Sequence, residues 1–112
     1  MAYNGNEGAP IALSTASEWT ANYRATGTPT APAEPLAHFF GEKLILRILG
    51  QSGCVGIRIY YGIDGDGNKA LIMVGADANQ NDIIGTAAAP AIIGNYSLPC
   101  PMSCSSANSL NS

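Results

Sequence analysis

The sequence predicts an α+β domain in which two N-terminal helices pack on a small antiparallel sheet built around a central β-hairpin. Three observations predict it. Residues 54–61 (CVGIRIYY) alternate, with Val55, Ile57, Ile59 and Tyr61 on one side and Cys54, Gly56, Arg58 and Tyr60 on the other, which is the period of a half-buried strand. Residues 62–68 carry turn chemistry (Gly62, Asp64, Gly65, Asp66, Gly67, Asn68), and 70–76 (ALIMVGA) form a second strand, apolar on both faces. Residues 36–49 place Phe40, Leu44 and Ile48 at helical spacing, flanked by Ala37, Ile45 and Leu49.

The elements follow in order. Ile11, Ala12 and Leu13 are a short apolar lead-in. Thr15 and Glu18 have the spacing of a capping box, so a helix is expected over 16–25, with Ala16, Trp19 and Tyr23 on one face. Arg24 suits the negative end of that helix, and Gly27 is its expected stop. Pro29, Pro32 and Pro35 recur every third residue in a segment, 28–35, expected to be a stiff spacer. The second helix, 36–49, has Glu42, Lys43 and Arg47 opposite its main apolar arc. Phe39 and Leu46 lie among these charges as a second apolar patch, and Gly50 ends the helix. Beyond the hairpin, 77–82 (DANQND) is another turn and 83–96 reads as one or two short strands, with Pro90 at an edge or bend. The tail, 97–112, is irregular and rich in Cys and Ser. A length of 112 residues is one domain, 1–112.

Composition narrows the function classes. Charged residues make up 12% of the chain and the net charge is −3, so copies repel one another weakly. The five basic residues, Arg24, Lys43, Arg47, Arg58 and Lys69, are dispersed rather than clustered, which argues against nucleic acid. No apolar run approaches the ~20 residues of a membrane span. The first residues lack the basic and apolar regions of a signal peptide, so a cytoplasmic protein is expected, with extracellular assembly left to a non-standard route.

Candidate chemistry is sparse. Asp64, Asp66 and Asn68 begin a calcium-loop pattern, but Lys69 and Gly75 stand where its glycine and glutamate belong. Asp77, Asn79, Asn81 and Asp82 are accounted for by turns. Cys54, Cys100, Cys104 and His38 have the types of a Cys₃His zinc site. A disulfide joining Cys104 to Cys54 or Cys100, or three reduced thiols, explains the cysteines more simply, so no cofactor is expected. A Cys54–His38 dyad is the one nucleophile–base pairing the composition permits. No nucleophile elbow, phosphate loop or zincin motif accompanies it.

Several segments carry a resemblance: Trp19-Thr20-Ala21-Asn22-Tyr23-Arg24, His38-Phe39-Phe40-Gly41, residues 53–61 (GCVGIRIYY), Val74-Gly75-Ala76-Asp77, Asn81-Asp82 and Pro99-Cys100-Pro101 with Cys104. In these the chain resembles a group of small uncharacterised Bacteroidota proteins, and the likeness implies no activity. The Ala-rich stretch 86–91 departs from the more polar residues expected there.

The expected function is structural: a self-assembling subunit of a filament, tube or other homopolymer, with Phe39 and Leu46 as its contact and itself as partner. The alternative is a small binding or regulatory module using the strand face of Arg58 and Tyr60. A thiol enzyme based on Cys54 is the third reading.

Overall fold

The computed structural model describes residues 2–27, 35–95, 97–100 and 104–111. The expected Pro-rich spacer lies outside the described residues except for Pro35, as do residues 101–103 of the tail.

The first helix, α1 (Leu13–Arg24), begins earlier than the capping box placed it. Ala12 is its extended N-cap, and no side chain caps it. Thr15 lies within the first turn, so the box with Glu18 does not form. The helix start is exposed, and water satisfies the free N–H groups that a cap would otherwise serve. No residue of α1 is buried.

The remaining architecture corrects the expected one. Two helices do not pack together on one sheet. Among the described residues there are two antiparallel sheets, one of two strands and one of three. Residues expected to open the second helix instead form β1 (Ala37–Phe39), which pairs with β5 (Leu98–Cys100) in the register Ala37 to Cys100, His38 to Pro99 and Phe39 to Leu98. Leu36 extends this pairing by donating its N–H to the carbonyl of Cys100. Local periodicity is blind to a partner about 60 residues away, and here the long-range ladder wins over helical spacing.

The second helix is therefore short: α2 (Glu42–Leu49), entered from extended Gly41 and ended at Gly50. Glu42 in its first turn and Arg47 in its last suit the helix dipole. Ile48 is 0% exposed and anchors the core.

The three-stranded sheet has the order β2 (Cys54–Ile63), β3 (Lys69–Asp77), β4 (Ile93–Gly94). Register places Ile57 opposite Gly75, Ile59 opposite Met73, and Met73 opposite Gly94. Directly paired residues share a face, and α2 lies on this one. A Cβ on Gly75 would come 3.4 Å from Ile48 Cγ2, and a Cβ on Gly94 would come 2.6 Å from Leu44 Cδ2. Both positions stay side-chain-free because the helix presses against the backbone there.

A register shift between Cys54 and Gly56 corrects the expected alternation. With Cys54 opposite Asp77, its side chain falls on the face of Gly75 and Ile57, not on that of Arg58. Its Sγ lies 2.9 Å from where a Gly75 Cβ would sit.

The core is small. Among the described residues its buried apolar side chains are those of Ile48, Met73, Val74, Ala76 and Cys100. Helix α2 is about 12 Å long at 1.5 Å per residue, whereas β2 is about 33 Å long at ~3.3 Å per residue. One end of the hairpin is thus beyond its reach. Ile59 is 51% exposed and Tyr61 93%, and Ile63 is exposed as well.

Two turns are built alike. Asp64 Oδ1 accepts the N–H groups of Asp66 and Asn68, both at 2.9 Å, and Asp77 Oδ1 accepts those of Asn79 and Asn81 at 2.9 and 3.0 Å. The fourth residue of each turn has positive φ, +85° at Gly67 and +71° at Gln80. Asp64, the first residue of the suggested cation loop, thus turns one carboxylate oxygen to its own backbone.

Candidate functional site

Arg58 and Tyr60 share the sheet face opposite α2 and converge on Asp82, which follows the second turn. Arg58 Nη1 donates to Asp82 Oδ1, and Tyr60 Oη donates to Asp82 Oδ2 at 2.5 Å. Arg58 Nη2 donates to Tyr3 Oη at 2.5 Å, and Arg58 Nη1 reaches the Gln80 carbonyl at 3.3 Å. The guanidinium carbon also lies 5.5 Å from the centre of the Tyr3 ring, within cation–π range. Tyr3 N–H donates to the Ala78 carbonyl at 2.8 Å. The N-terminal segment is thereby strapped across the start of the hairpin.

Electrostatics reinforces the strap. The hydrogen bond from Tyr60, then the Arg58 guanidinium, hold the Asp82 carboxyl below its ordinary value. Asp82 in turn raises Arg58 and Tyr60. Glu7 is lowered by the N–H of Asn4 and by those of Glu7 itself and Gly5. The polar groups offered as a ligand face are engaged by the chain's own residues. The sequence showed Arg58 and Tyr60 but not Tyr3 or Asp82, since no short-range pattern links them.

The thiols are dispersed. Cys100 and Cys104 form a disulfide with a Cα–Cα distance of 4.8 Å, and Cys54 is free. The Cys54 thiol donates to the Gly56 carbonyl at 3.2 Å. His38 Nδ1 is 2.7 Å from Ser97 Oγ, and burial lowers its pKa by disfavouring the charged ring. Cys54 and His38 thus serve different neighbours, on different sheets. Among the described residues no group of three or more His, Cys, Asp or Glu is placed to hold a metal ion.

Phe39 and Leu46 do not share a helix. Phe39 is on β1 and 62% exposed, while Leu46 is on α2 and 58% exposed. The expected shared helical face is thereby corrected, because the two exposed side chains belong to a strand and a helix.

A cavity of about 720 Å³ lies between α1, β1 and the distal hairpin. Trp19, Thr20, Tyr23 and Arg24 line it from α1. Pro35, Leu36, Ala37 and His38 line it from β1 and its approach, and Leu110 lines it from the tail. Tyr61, Gly62, Ile63, Lys69, Ala70 and Leu71 complete it. Few bonds hold α1 over the cavity. Ser17 Oγ donates to Ser109 Oγ at 2.8 Å, Arg24 Nη1 donates to the Leu110 carbonyl at 2.7 Å, and Tyr23 Oη donates to the Pro35 carbonyl at 3.3 Å. The apolar face of Trp19 and Tyr23 was legible in the sequence, but its position at a cavity was not.

Among the described residues no helix is long and apolar enough to cross a membrane. Comparison with protein-family models, with curated proteins and with solved structures yields no match.

Proposed function

We propose that the chain is a structural subunit that assembles with copies of itself. The observation that carries this reading is β2. It is the edge strand of its sheet, with β3 as its one neighbour among the described residues, and Ile59, Tyr60, Tyr61 and Ile63 on it are exposed. Its only charge, Arg58, is paired with Asp82. An edge strand of a protein that remains monomeric is usually blunted by Lys, Pro, a bulge or a cover. Here the register shift and the N-terminal strap sit at the Cys54 end, and among the described residues the distal half of β2 has no Lys, Pro or register shift of its own.

Burying one large apolar side chain contributes about 1.5–3 kcal/mol, so a contact through several of them outweighs the weak repulsion of a −3 chain. An edge that pairs heterologously grows into a filament, and one that pairs about a two-fold axis closes as a dimer. Sedimentation velocity over a wide concentration range tests the proposal. Mass is expected to rise with concentration, and Tyr61→Lys, at a side chain already in water, is expected to suppress the rise. A wild-type chain that stays monomeric at the highest concentration reached refutes the assembly reading.

A further inference from the structure

We propose that the cavity between α1, β1 and the distal hairpin binds an amphipathic anion, a carboxylate or phosphate head on an apolar body. This rests on the cavity alone and not on assembly. Its volume of about 720 Å³ lies within the ~300–1,000 Å³ of small-ligand sites. Its wall is mostly apolar: Trp19, Tyr23, Leu36 and Leu71 line it, and the two aromatic rings belong to a helix with no buried residue of its own. Such a face gains by being covered.

Charge selects the ligand. The whole chain has five Lys and Arg and a net charge of −3, yet among the described residues the charged side chains lining the cavity, Arg24 and Lys69, are cations. Arg24 spends one N–H on the Leu110 carbonyl, a neutral acceptor that brings no counter-charge. The ion pair found among the described residues, Arg58 with Asp82, involves neither. An apolar body against the rings, with an anionic head between Arg24 and Lys69, satisfies both features. A cationic amphiphile satisfies only the first.

Trp19 is the single tryptophan and lines the cavity, so its emission reports occupancy directly. The full chain, at a dilution where its emission no longer depends on protein concentration, is titrated with dodecanoate, dodecyl phosphate, dodecanol and dodecylammonium. Dodecanoate, dodecyl phosphate or both are expected to give a saturable blue shift, and whichever head binds more tightly identifies the source. Dodecylammonium is expected to bind about five-fold more weakly or worse, the scale of losing exposed ion pairs. Lys69→Glu is expected to weaken anion binding by about five-fold, and Lys69→Arg to retain it. Should Lys69→Glu lose its far-UV circular dichroism, salt decides instead: the wild-type advantage of anion over alcohol must shrink as salt rises. Equal binding of anion and cation, or no saturable shift, overturns the proposal. So does a Trp19 shift that follows protein concentration at every attainable dilution, which assigns the cavity to a second copy.

Discussion

Replacing Gly75 with Ala tests how α2 sits on the sheet. The added Cβ would lie 2.9 Å from Cys54 Sγ, 3.1 Å from Gln51 Nε2 and 3.4 Å from Ile48 Cγ2. All three are parts of one packed contact. Ile48 is 0% exposed, and Gln51 is bonded twice: its Nε2 donates to the Ile48 carbonyl at 3.0 Å and its Oε1 accepts the Ile92 N–H at 2.8 Å. A methyl forced into a packed core costs about 1–3 kcal/mol. Gly75 does not have positive φ, so Ala suits the backbone and returns about 0.4–1 kcal/mol by restricting the unfolded chain. Taking the middle of each range, the expected net loss is about 1.3 kcal/mol, a sizeable share of a small domain's stability. Cys54→Ala removes the closest atom, so the double variant should recover part of the loss, with a coupling of about 0.5–3 kcal/mol. Urea unfolding followed by far-UV circular dichroism measures the cycle, because Trp19 lies on α1, outside the packed core. A neutral Gly75→Ala, or a cost undiminished in the Cys54→Ala background, would refute the placement of Cys54 on the α2 face.

Three further predictions follow from the strap, the turns and the tail. Asp82 and Glu7 have lowered values when folded, so their contribution is complete above the ordinary carboxylate value of about 4 and is lost as pH falls through the lower folded values. Hydrogen exchange should show residues 3–7 releasing in acid before the β2–β3 ladder opens; simultaneous loss of both would contradict an independent strap. Gln80 adopts φ +71° where the matching turn has glycine, so Gln80→Gly should stabilise by up to about 1 kcal/mol and Gly67→Ala should destabilise by a similar amount, both read by thermal unfolding. Replacing Cys100 and Cys104 together with Ser should make the chain beyond Pro99 sensitive to protease while the hairpin stays folded, and unchanged tail proteolysis would show that the disulfide does not hold the tail.

The hairpin was legible because each of its signals is local. Alternation from Gly56, turn residues around Asp64 and the apolar run through Val74 all lie within about 25 residues and agree with one another. The Gly67 and Asp77 turns were legible for the same reason, since an Asx side chain bonds its own near backbone. Of the candidate site, Arg58, Tyr60, Trp19 and Tyr23 were visible as residue types on faces. Their partners Tyr3, Asp82, Lys69 and Leu110 were not.

By itself, then, the sequence determined a central hairpin, a chain poor in charge with no cluster of cations, and two amphipathic stretches. Tertiary structure alone decided that residues 37–39 leave helical spacing to pair with 98–100, that one register shift moves Cys54 across the sheet, and that α2 is too short to cover the whole hairpin. Each outcome depends on a backbone ladder or a packed contact between residues distant in sequence. Local periodicity carries no term for that energy, whereas in the folded chain it exceeds the small differences in local propensity.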